Sequence, residues 1–269
     1  MNTVLKEKIK QLPALPESAI KLEAIYHDPD SSFDDMVKVL ELDPLLTADI
    51  LKAANSPLYG FTREINSITQ AVGLFGMGTI RGFALAMIVK KSFTLNLKPY
   101  NISTAEFSNL SQVQSALAVT WYLRQKPKLM DLLSPASFLV EIGKVIISQC
   151  VLENKKENEF MEKLKSQSSV KEVEEEFCDT HTAEVSADIF NHWKFDESLI
   201  NLIRFCGEPE KCSDDEKLFE AVKVLHVIRV ATGINGVFTD ESLSRAKELI
   251  EEYELDLASF EAAVEKMTA

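Results

Sequence analysis

Glycine and proline are scarce in this chain, with nine of each among 269 residues. No segment alternates apolar and polar residues as a half-buried strand would, and no internal repeat is present. Alanine, leucine, glutamate and lysine, which favour helices, are plentiful. These features argue against a β-rich fold. They predict an all-α protein with enough residues for one large domain or two moderate ones.

Positive charge is also in short supply. The chain has 29 lysine and arginine residues against 42 aspartate and glutamate residues, which gives a net charge of −13. No run of lysine and arginine longer than two residues interrupts this excess. Such a field repels phosphate backbones and anionic lipid heads. We therefore expect the protein to bind no nucleic acid and to stay away from membrane surfaces.

C-x-x-C pairs and long apolar runs are missing as well. Four cysteines are scattered along the chain, and no uninterrupted apolar run approaches the roughly 20 residues that span a bilayer. The first residues, MNTVLKEK, lack the uncharged apolar stretch of a secretory signal. These absences predict a cytoplasmic protein with reduced thiols and no membrane insertion.

Helix start and stop signals divide the chain into two halves, 1–97 and 98–269. Short helices in the first half follow signals such as the capping box of Ser32 with Asp35, and Asp43 before Pro44. Residues 98–101 look like a junction. Apolar periodicity then predicts longer helices at about 104–126, 131–152, 155–166, 170–194, 196–206, 215–232, 240–252 and 256–267.

Few residues offer metal or catalytic chemistry. Of the four histidines, His181 and His192 lie eleven residues apart on one predicted helix, about 16 Å at 1.5 Å per residue, too far to share an ion. His181, Glu184 and Asp188 form a polar stripe, but nothing nearby completes a set of ligands. No G-x-S-x-G motif and no phosphate-binding glycine loop is present. We therefore expect no metal and no cofactor.

A series of motifs in the first half is more informative than spacing alone. In order along the chain they are LPALP at 12–16, DPD at 28–30, DPLLT at 43–47, ANS at 54–56, YG at 59–60, INSITQAV at 65–72 and GMGTIR at 76–81. Together they resemble the HDOD family, the HD-related output domain of bacterial signalling proteins, over residues of about 10 to 210. The resemblance implies a multi-helical HD-like fold and a role in signalling.

That family is distantly related to HD-type phosphohydrolases, which hold metal ions with a histidine, a His-Asp pair and a further aspartate. By resemblance, Val140 and Glu141 stand in place of the His-Asp pair. The other corresponding positions are Gln114, His181 and, more loosely, Phe205 and Cys206. Valine has no lone pair and an amide is a poor metal ligand, so this set is short of donors. Without a metal, no hydroxide nucleophile forms near neutral pH.

Glu141 is therefore expected to be a relic of the metal site rather than a catalytic group. Lys144 follows it by three residues, so the two side chains can form an ion pair on one helix face. The expected function is that of a stand-alone, non-catalytic regulatory module. It would act through contacts with other signalling proteins. Association into a homodimer is left as an open alternative.

Four residues of the first-half motifs are candidates for binding a partner or for fixing the joint between helices: Asn55, Ser56, Tyr59 and Arg81. Two alternative functions remain open. One is a residual metal-dependent phosphohydrolase that uses His181, Glu141, Asp188 and distant carboxylates. The other is a sensor that binds a nucleotide in the vestigial cavity. The acidic net charge disfavours this sensor unless Arg81, Lys144 or Arg204 points inward.

Overall fold

The computed structural model describes residues 3–166, 169–212 and 215–268, and no β-strand occurs among them. Short 3₁₀ turns connect several of the helices. The α-helices, in chain order, are α1 Thr3–Lys10, α2 Glu17–His27, α3 Phe33–Glu41, α4 Pro44–Ala54, α5 Ile68–Phe75, α6 Met77–Lys91, α7 Thr104–Tyr122, α8 Met130–Leu139, α9 Gly143–Glu153, α10 Glu157–Ser166, α11 Val170–Cys178, α12 Thr182–His192, α13 Glu197–Phe205, α14 Glu216–Thr232, α15 Asp240–Glu252 and α16 Leu257–Thr268. The prediction of an all-α, multi-helical fold is confirmed.

Local start signals place the first-half helices as predicted. The Ser32 hydroxyl accepts from the Asp35 amide, and the Asp35 carboxylate accepts from the Ser32 amide, so the capping box at α3 is complete. The Asp43 carboxylate accepts from the Leu45 and Leu46 amides at 3.0 Å, which caps α4. These contacts satisfy backbone N–H groups that have no partner within the helix.

Two long helices of the second half are interrupted, which corrects the sequence prediction. The helix predicted at 131–152 is broken at 140–142 into α8 and α9, and the one predicted at 170–194 is broken at 179–181 into α11 and α12. At the second break Asp179 adopts a left-handed conformation with φ 54°. At the first, Gly143 begins α9 directly against α12, where an added Cβ would lie 2.8 Å from the Ser186 hydroxyl. Both breaks adjoin residues of the candidate site.

One hydrophobic core extends through both halves of the chain. Helix α6 of the first half packs against α8 of the second, and the Phe83 and Phe138 rings meet edge to face at 5.1 Å. The segment Pro127–Glu153 is long and apolar enough to cross a membrane by composition, but 89% of its most apolar window is buried inside the protein. This burial identifies the segment as a core element of the fold.

Candidate functional site

Glu141 lies in the turn between α8 and α9 and is only 2% exposed. Its Oε1 atom accepts from Arg229 Nε at 2.7 Å and from Gln114 Nε2 at 3.3 Å. Its Oε2 atom forms an ion pair with Lys144 Nζ, as the spacing predicts, and accepts from Arg229 Nη2 at 3.5 Å. We call Gln114, Glu141, Lys144 and Arg229 the Glu141 cluster. It joins α7, α9 and α14 to the turn.

The carboxylate of Glu141 is ionised inside the protein because two cations compensate for its burial. Burial alone would raise the pKa of Glu141, but the charges and hydrogen bonds of Arg229 and Lys144 outweigh that effect. The pKa of Glu141 therefore lies far below its usual range. A carboxylate held in this way stays ionised near neutral pH, so it is poorly suited to donate a proton there.

The turn that carries Glu141 is fixed by a hydroxyl on α12. Ser186 Oγ donates to the Val140 carbonyl oxygen at 2.6 Å and accepts from the Gly143 amide at 2.8 Å. The Val140 side chain is fully buried. Val140, which the family resemblance matches to the HD histidine, therefore contributes a backbone carbonyl to the turn and an apolar side chain to the core.

A cavity of about 730 Å³ opens beside the Glu141 cluster, and Glu141, Lys144 and Arg229 line part of it. His181 lines it as well, from the N-cap position of α12. Burial, and then the charges of Lys171 and Arg229, lower the pKa of His181 to about 4, so its imidazole is neutral near pH 7. The structure thus brings His181 and Glu141 to one cavity, although they lie on different elements.

The acidic residues that follow His181 are held by other partners. Glu184 accepts from the Thr180 hydroxyl at 2.5 Å, and Asp188 forms an ion pair with Arg204 at 2.7 Å. His192 is the last residue of α12, at the opposite end from His181. The polar stripe predicted from the sequence is therefore distributed along α12 and does not converge on Glu141.

Gln114, Val140 and Glu141, which the family resemblance matches to HD ligand positions, do not fit a metal ion. Val140 offers no side-chain donor, and the amide nitrogen of Gln114 is directed to Glu141 and to Thr232 Oγ1. Both oxygens of Glu141 accept from cationic groups. Two positive charges beside the Glu141 carboxylate oppose the approach of a divalent cation to it.

Cys206, at one of the loosely matched positions, is also in contact with a cation. Its sulfur accepts from Arg229 Nη1 at 3.3 Å, and burial raises the pKa of the thiol. Burial therefore disfavours the thiolate form of Cys206, which is the form that binds a metal.

Arg229 is the member of the Glu141 cluster that the sequence did not predict. It lies on α14, beyond the region in which family motifs could be aligned. A signal was present nevertheless: His226 and Arg229 are spaced i, i+3 in the otherwise apolar run VLHVIRVAT. Polar side chains in so apolar a stretch have to be paired with a partner or used at a site.

The candidate residues of the first-half motifs make internal contacts. Asn55 Nδ2 donates to the Leu51 and Ile65 carbonyls at 2.9 and 2.8 Å, and Asn55 Oδ1 accepts from the Ile65 amide at 2.8 Å. Tyr59 is buried, with its hydroxyl 3.3 Å from Ser115 Oγ. Ser56 is partly exposed in the same loop. These contacts fix the connection between α4 and α5.

Arg81 is 1% exposed and holds three helices together. Its Nε and Nη2 atoms donate to the two carboxylate oxygens of Glu23 at 2.6 and 2.7 Å, and Nη2 also donates to Asp196 at 3.1 Å. Its guanidinium lies 4.2 Å from the centre of the Tyr26 ring. Ligand atoms of Glu23, His27 and Asp196 lie within 4.8 Å of one another, but the positive charge of Arg81 among them opposes a cation there.

Comparison with known proteins gives one family and several related structures. The model of the HDOD domain matches residues 12–209. A virulence factor from Campylobacter jejuni subsp. jejuni is 26% identical, with a TM-score of 0.60, and the match covers 100% of this chain and 99% of that one. An uncharacterized protein of Treponema pallidum is 27% identical over 73 residues, and the matched segment spans only 14% of that protein's length.

Two further structures share the fold at lower identity. A proposed phosphohydrolase from Shewanella amazonensis SB2B is 21% identical with a TM-score of 0.68, and the match covers 98% of this chain and 96% of that one. A proposed signal transduction protein from Marinobacter aquaeolei VT8 is 17% identical with a TM-score of 0.62, covering 100% of this chain and 62% of that one. The C-terminal helices α14 to α16 lie outside the match to the HDOD model.

Proposed function

This chain belongs to the HDOD domain family, and from that premise we propose that it is a non-catalytic regulatory module that acts through protein contacts in bacterial signalling. Family membership supports a signalling-related domain. A structural relative is itself named as a proposed signal transduction protein. Beyond family membership, we propose two things: that the protein is not catalytic, and that it acts through protein partners.

The observation that carries the proposal is the pairing of Glu141 with two cations. In an HD phosphohydrolase, this region would hold metal ions that activate water. Here Lys144 and Arg229 supply the positive charge to the same carboxylate. A side-chain ammonium or guanidinium balances the charge of Glu141, but it has no open coordination position at which water could be deprotonated.

The alternative of a residual phosphohydrolase has less support from the geometry. It would use Glu141, His181 and Asp188, yet Asp188 forms an ion pair with Arg204 and Glu141 is paired with two cations. The Shewanella amazonensis relative carries the name of a proposed phosphohydrolase, which keeps this alternative worth testing.

One preparation can test both parts of the proposal. The tagged protein is isolated from its native cell after mild crosslinking, and bound proteins are quantified by mass spectrometry. A parallel sample without crosslinking is analysed for metals and assayed with bis(p-nitrophenyl) phosphate in added Mn²⁺. We expect a protein partner in stoichiometric amount, no stoichiometric transition metal, and no turnover.

Matched variants show whether any activity belongs to this site. Glu141→Gln alters the buried carboxylate, whereas Glu153→Gln alters an exposed one near the other end of α9. Turnover that is lost in the Glu141 variant and kept in the Glu153 variant, together with a bound metal, would overturn the proposal. Repeated recovery of the protein without any specific partner would contradict its second part.

A further inference from the structure

The cavity beside Glu141 has the opposite charge from the protein as a whole. Six lysine and arginine side chains line it against four glutamates, in a chain whose net charge is −13. The cations come from several helices, with Lys144 on α9, Lys171 on α11, Arg204 on α13 and Arg229 on α14. We call this space the basic cavity. Its surplus of positive charge attracts anions and repels divalent cations.

Several of these cations keep donor capacity toward the cavity. Arg229 is 21% exposed, and its Nη1 atom donates only to the Cys206 sulfur, which is a weak acceptor. Arg204 is 29% exposed and its ion pair with Asp188 is made through Nη2. Lys171 is 37% exposed and reaches Glu208 at 2.8 Å. A guanidinium has five N–H donors, so one carboxylate partner does not exhaust either arginine.

Two histidines line the basic cavity. Burial first, and neighbouring cations after it, lower the pKa of both His181 and His226 to about 4. For His181 those cations are Lys171 and Arg229, and for His226 they include the same two residues. The histidines are therefore neutral near pH 7 and add hydrogen-bonding groups to the wall without adding charge.

We propose that the basic cavity binds a phosphate-bearing small molecule of nucleotide size, with its phosphate held by Arg229, Arg204 and Lys171 and without a bridging metal. Its volume of about 730 Å³ lies within the range typical of small-molecule sites. Arginine and lysine together are the side chains that proteins use to bind phosphate oxygens. Of the three cations that the sequence singled out for a sensor, Lys144 and Arg204 line the cavity, whereas Arg81 is held by Glu23 and Asp196.

This inference rests on the proposed function, and it identifies the phosphate-bearing ligand as the signal that the regulatory module receives. The basic cavity is lined both by the HDOD region and by α14 and α15, which lie outside the family match. A ligand bound there would bridge the two parts of the chain. Its binding free energy would then stabilise one arrangement of the C-terminal helices relative to the HDOD region, as regulation by a small molecule requires.

The test is calorimetric titration of the full-length protein in EDTA at fixed ionic strength. The probes are ADP, inorganic pyrophosphate and uncharged adenosine. We expect ADP and pyrophosphate to bind, and adenosine not to bind. In a melting experiment, ADP at 100 times its dissociation constant should raise the melting temperature by about 5 °C or more, because it binds only the native state.

Variants at the cavity edge keep the inference falsifiable without disturbing the Glu141 cluster. Arg204→Gln and Lys171→Gln should each weaken ADP binding about tenfold, the usual effect of losing a hydrogen bond to a charged group. Lys163→Gln is the matched control, since Lys163 pairs with Glu176 and does not line the basic cavity. Its affinity for ADP should equal that of the wild type.

Three results would overturn the inference: no heat with ADP or pyrophosphate at millimolar concentration, equal binding by the cavity variants, or binding that requires Mn²⁺. Failure of the proposed function looks different. Hydrolysis of a phosphoester by the purified protein would contradict the regulatory role, whatever the affinity for ADP. Recovery of a specific protein partner without any binding of ADP or pyrophosphate would contradict the inference alone.

Discussion

Glu141 shows how a buried carboxylate can stay charged when cationic side chains surround it. Its oxygens accept from Arg229 at 2.7 Å and from Lys144 and Gln114, so its full hydrogen-bonding capacity is used inside the protein. Removing one member of such a group leaves the others charged and without compensation. We therefore expect Glu141 to contribute to stability through these contacts.

We predict that Glu141→Gln destabilises the protein by about 3 kcal/mol, the lower end of the range for breaking a buried ion pair, because Arg229 keeps some contact with solvent. Urea unfolding followed by circular dichroism measures the change. The control Glu153→Gln, in an exposed pair with Lys8, should cost less than about 1 kcal/mol. Equal small losses in both variants would show that Glu141 is not held as the structure describes.

At the scale of single elements, helix starts could be predicted from local sequence signals, whereas contacts between distant elements could not. Ser32, Asp43 and Asp196 accept hydrogen bonds from backbone amides two or three residues further on, so the starts of α3, α4 and α13 could be located from the sequence. The break at 140–142 depends on α12, which is more than forty residues away. Periodicity continues through that break because both sides of it are buried and apolar.

In the candidate site, too, local contacts could be predicted from the sequence and contacts between distant elements could not. The pair of Glu141 with Lys144 is local, and the sequence predicted it. The approach of Arg229 depends on the packing of α14 against α7 and α13, which no short motif encodes. The family resemblance could not supply it either, because the match ends at residue 209.

Substitution of Gly143 tests how closely α9 approaches α12 at the break between α8 and α9. An added methyl group would lie 2.3 Å from the Thr182 carbonyl oxygen, so α9 would have to move away from α12. We predict that Gly143→Ala costs about 2 kcal/mol or more, in the range of overpacked cores. Thermal unfolding at several urea concentrations would measure this cost.

A second glycine serves as the matched control. Gly73 lies in α5 with nothing within 4 Å of its added methyl position. Gly73→Ala should therefore stabilise the protein by about 0.5–1 kcal/mol, because alanine loses less backbone entropy than glycine on forming a helix. A Gly143→Ala variant as stable as the wild type would mean that α9 and α12 do not meet as closely as described.

For the whole molecule, the C-terminal helices share one hydrophobic core with the HDOD region. Trp121 on α7 packs edge to face on Phe260 of α16 at 5.0 Å and donates to Ser259 Oγ at 2.9 Å. Trp193, just after α12, packs on Phe93 and donates to the Pro13 carbonyl at 2.9 Å. The two tryptophans of the chain therefore report on opposite parts of one continuous core.

This continuity predicts a single cooperative unfolding transition. Phe260→Ala, which removes a fully buried ring, should cost about 3–5 kcal/mol. We introduce it into the Trp121→Phe and Trp193→Phe backgrounds, so that each protein has one fluorescent reporter, and compare each with its own background. Both reporters should shift to lower urea concentration, because the core that they share unfolds as one unit. The two shifts need not be equal in size, since Trp121→Phe alters the contact of residue 121 with Phe260. Glu261→Gln, which alters an exposed neighbour paired with Lys247, should leave both midpoints nearly unchanged.

A shift seen by Trp121 but not by Trp193 would show that α14 to α16 unfold separately. Arg229 could then leave Glu141 without disturbing the rest of the fold.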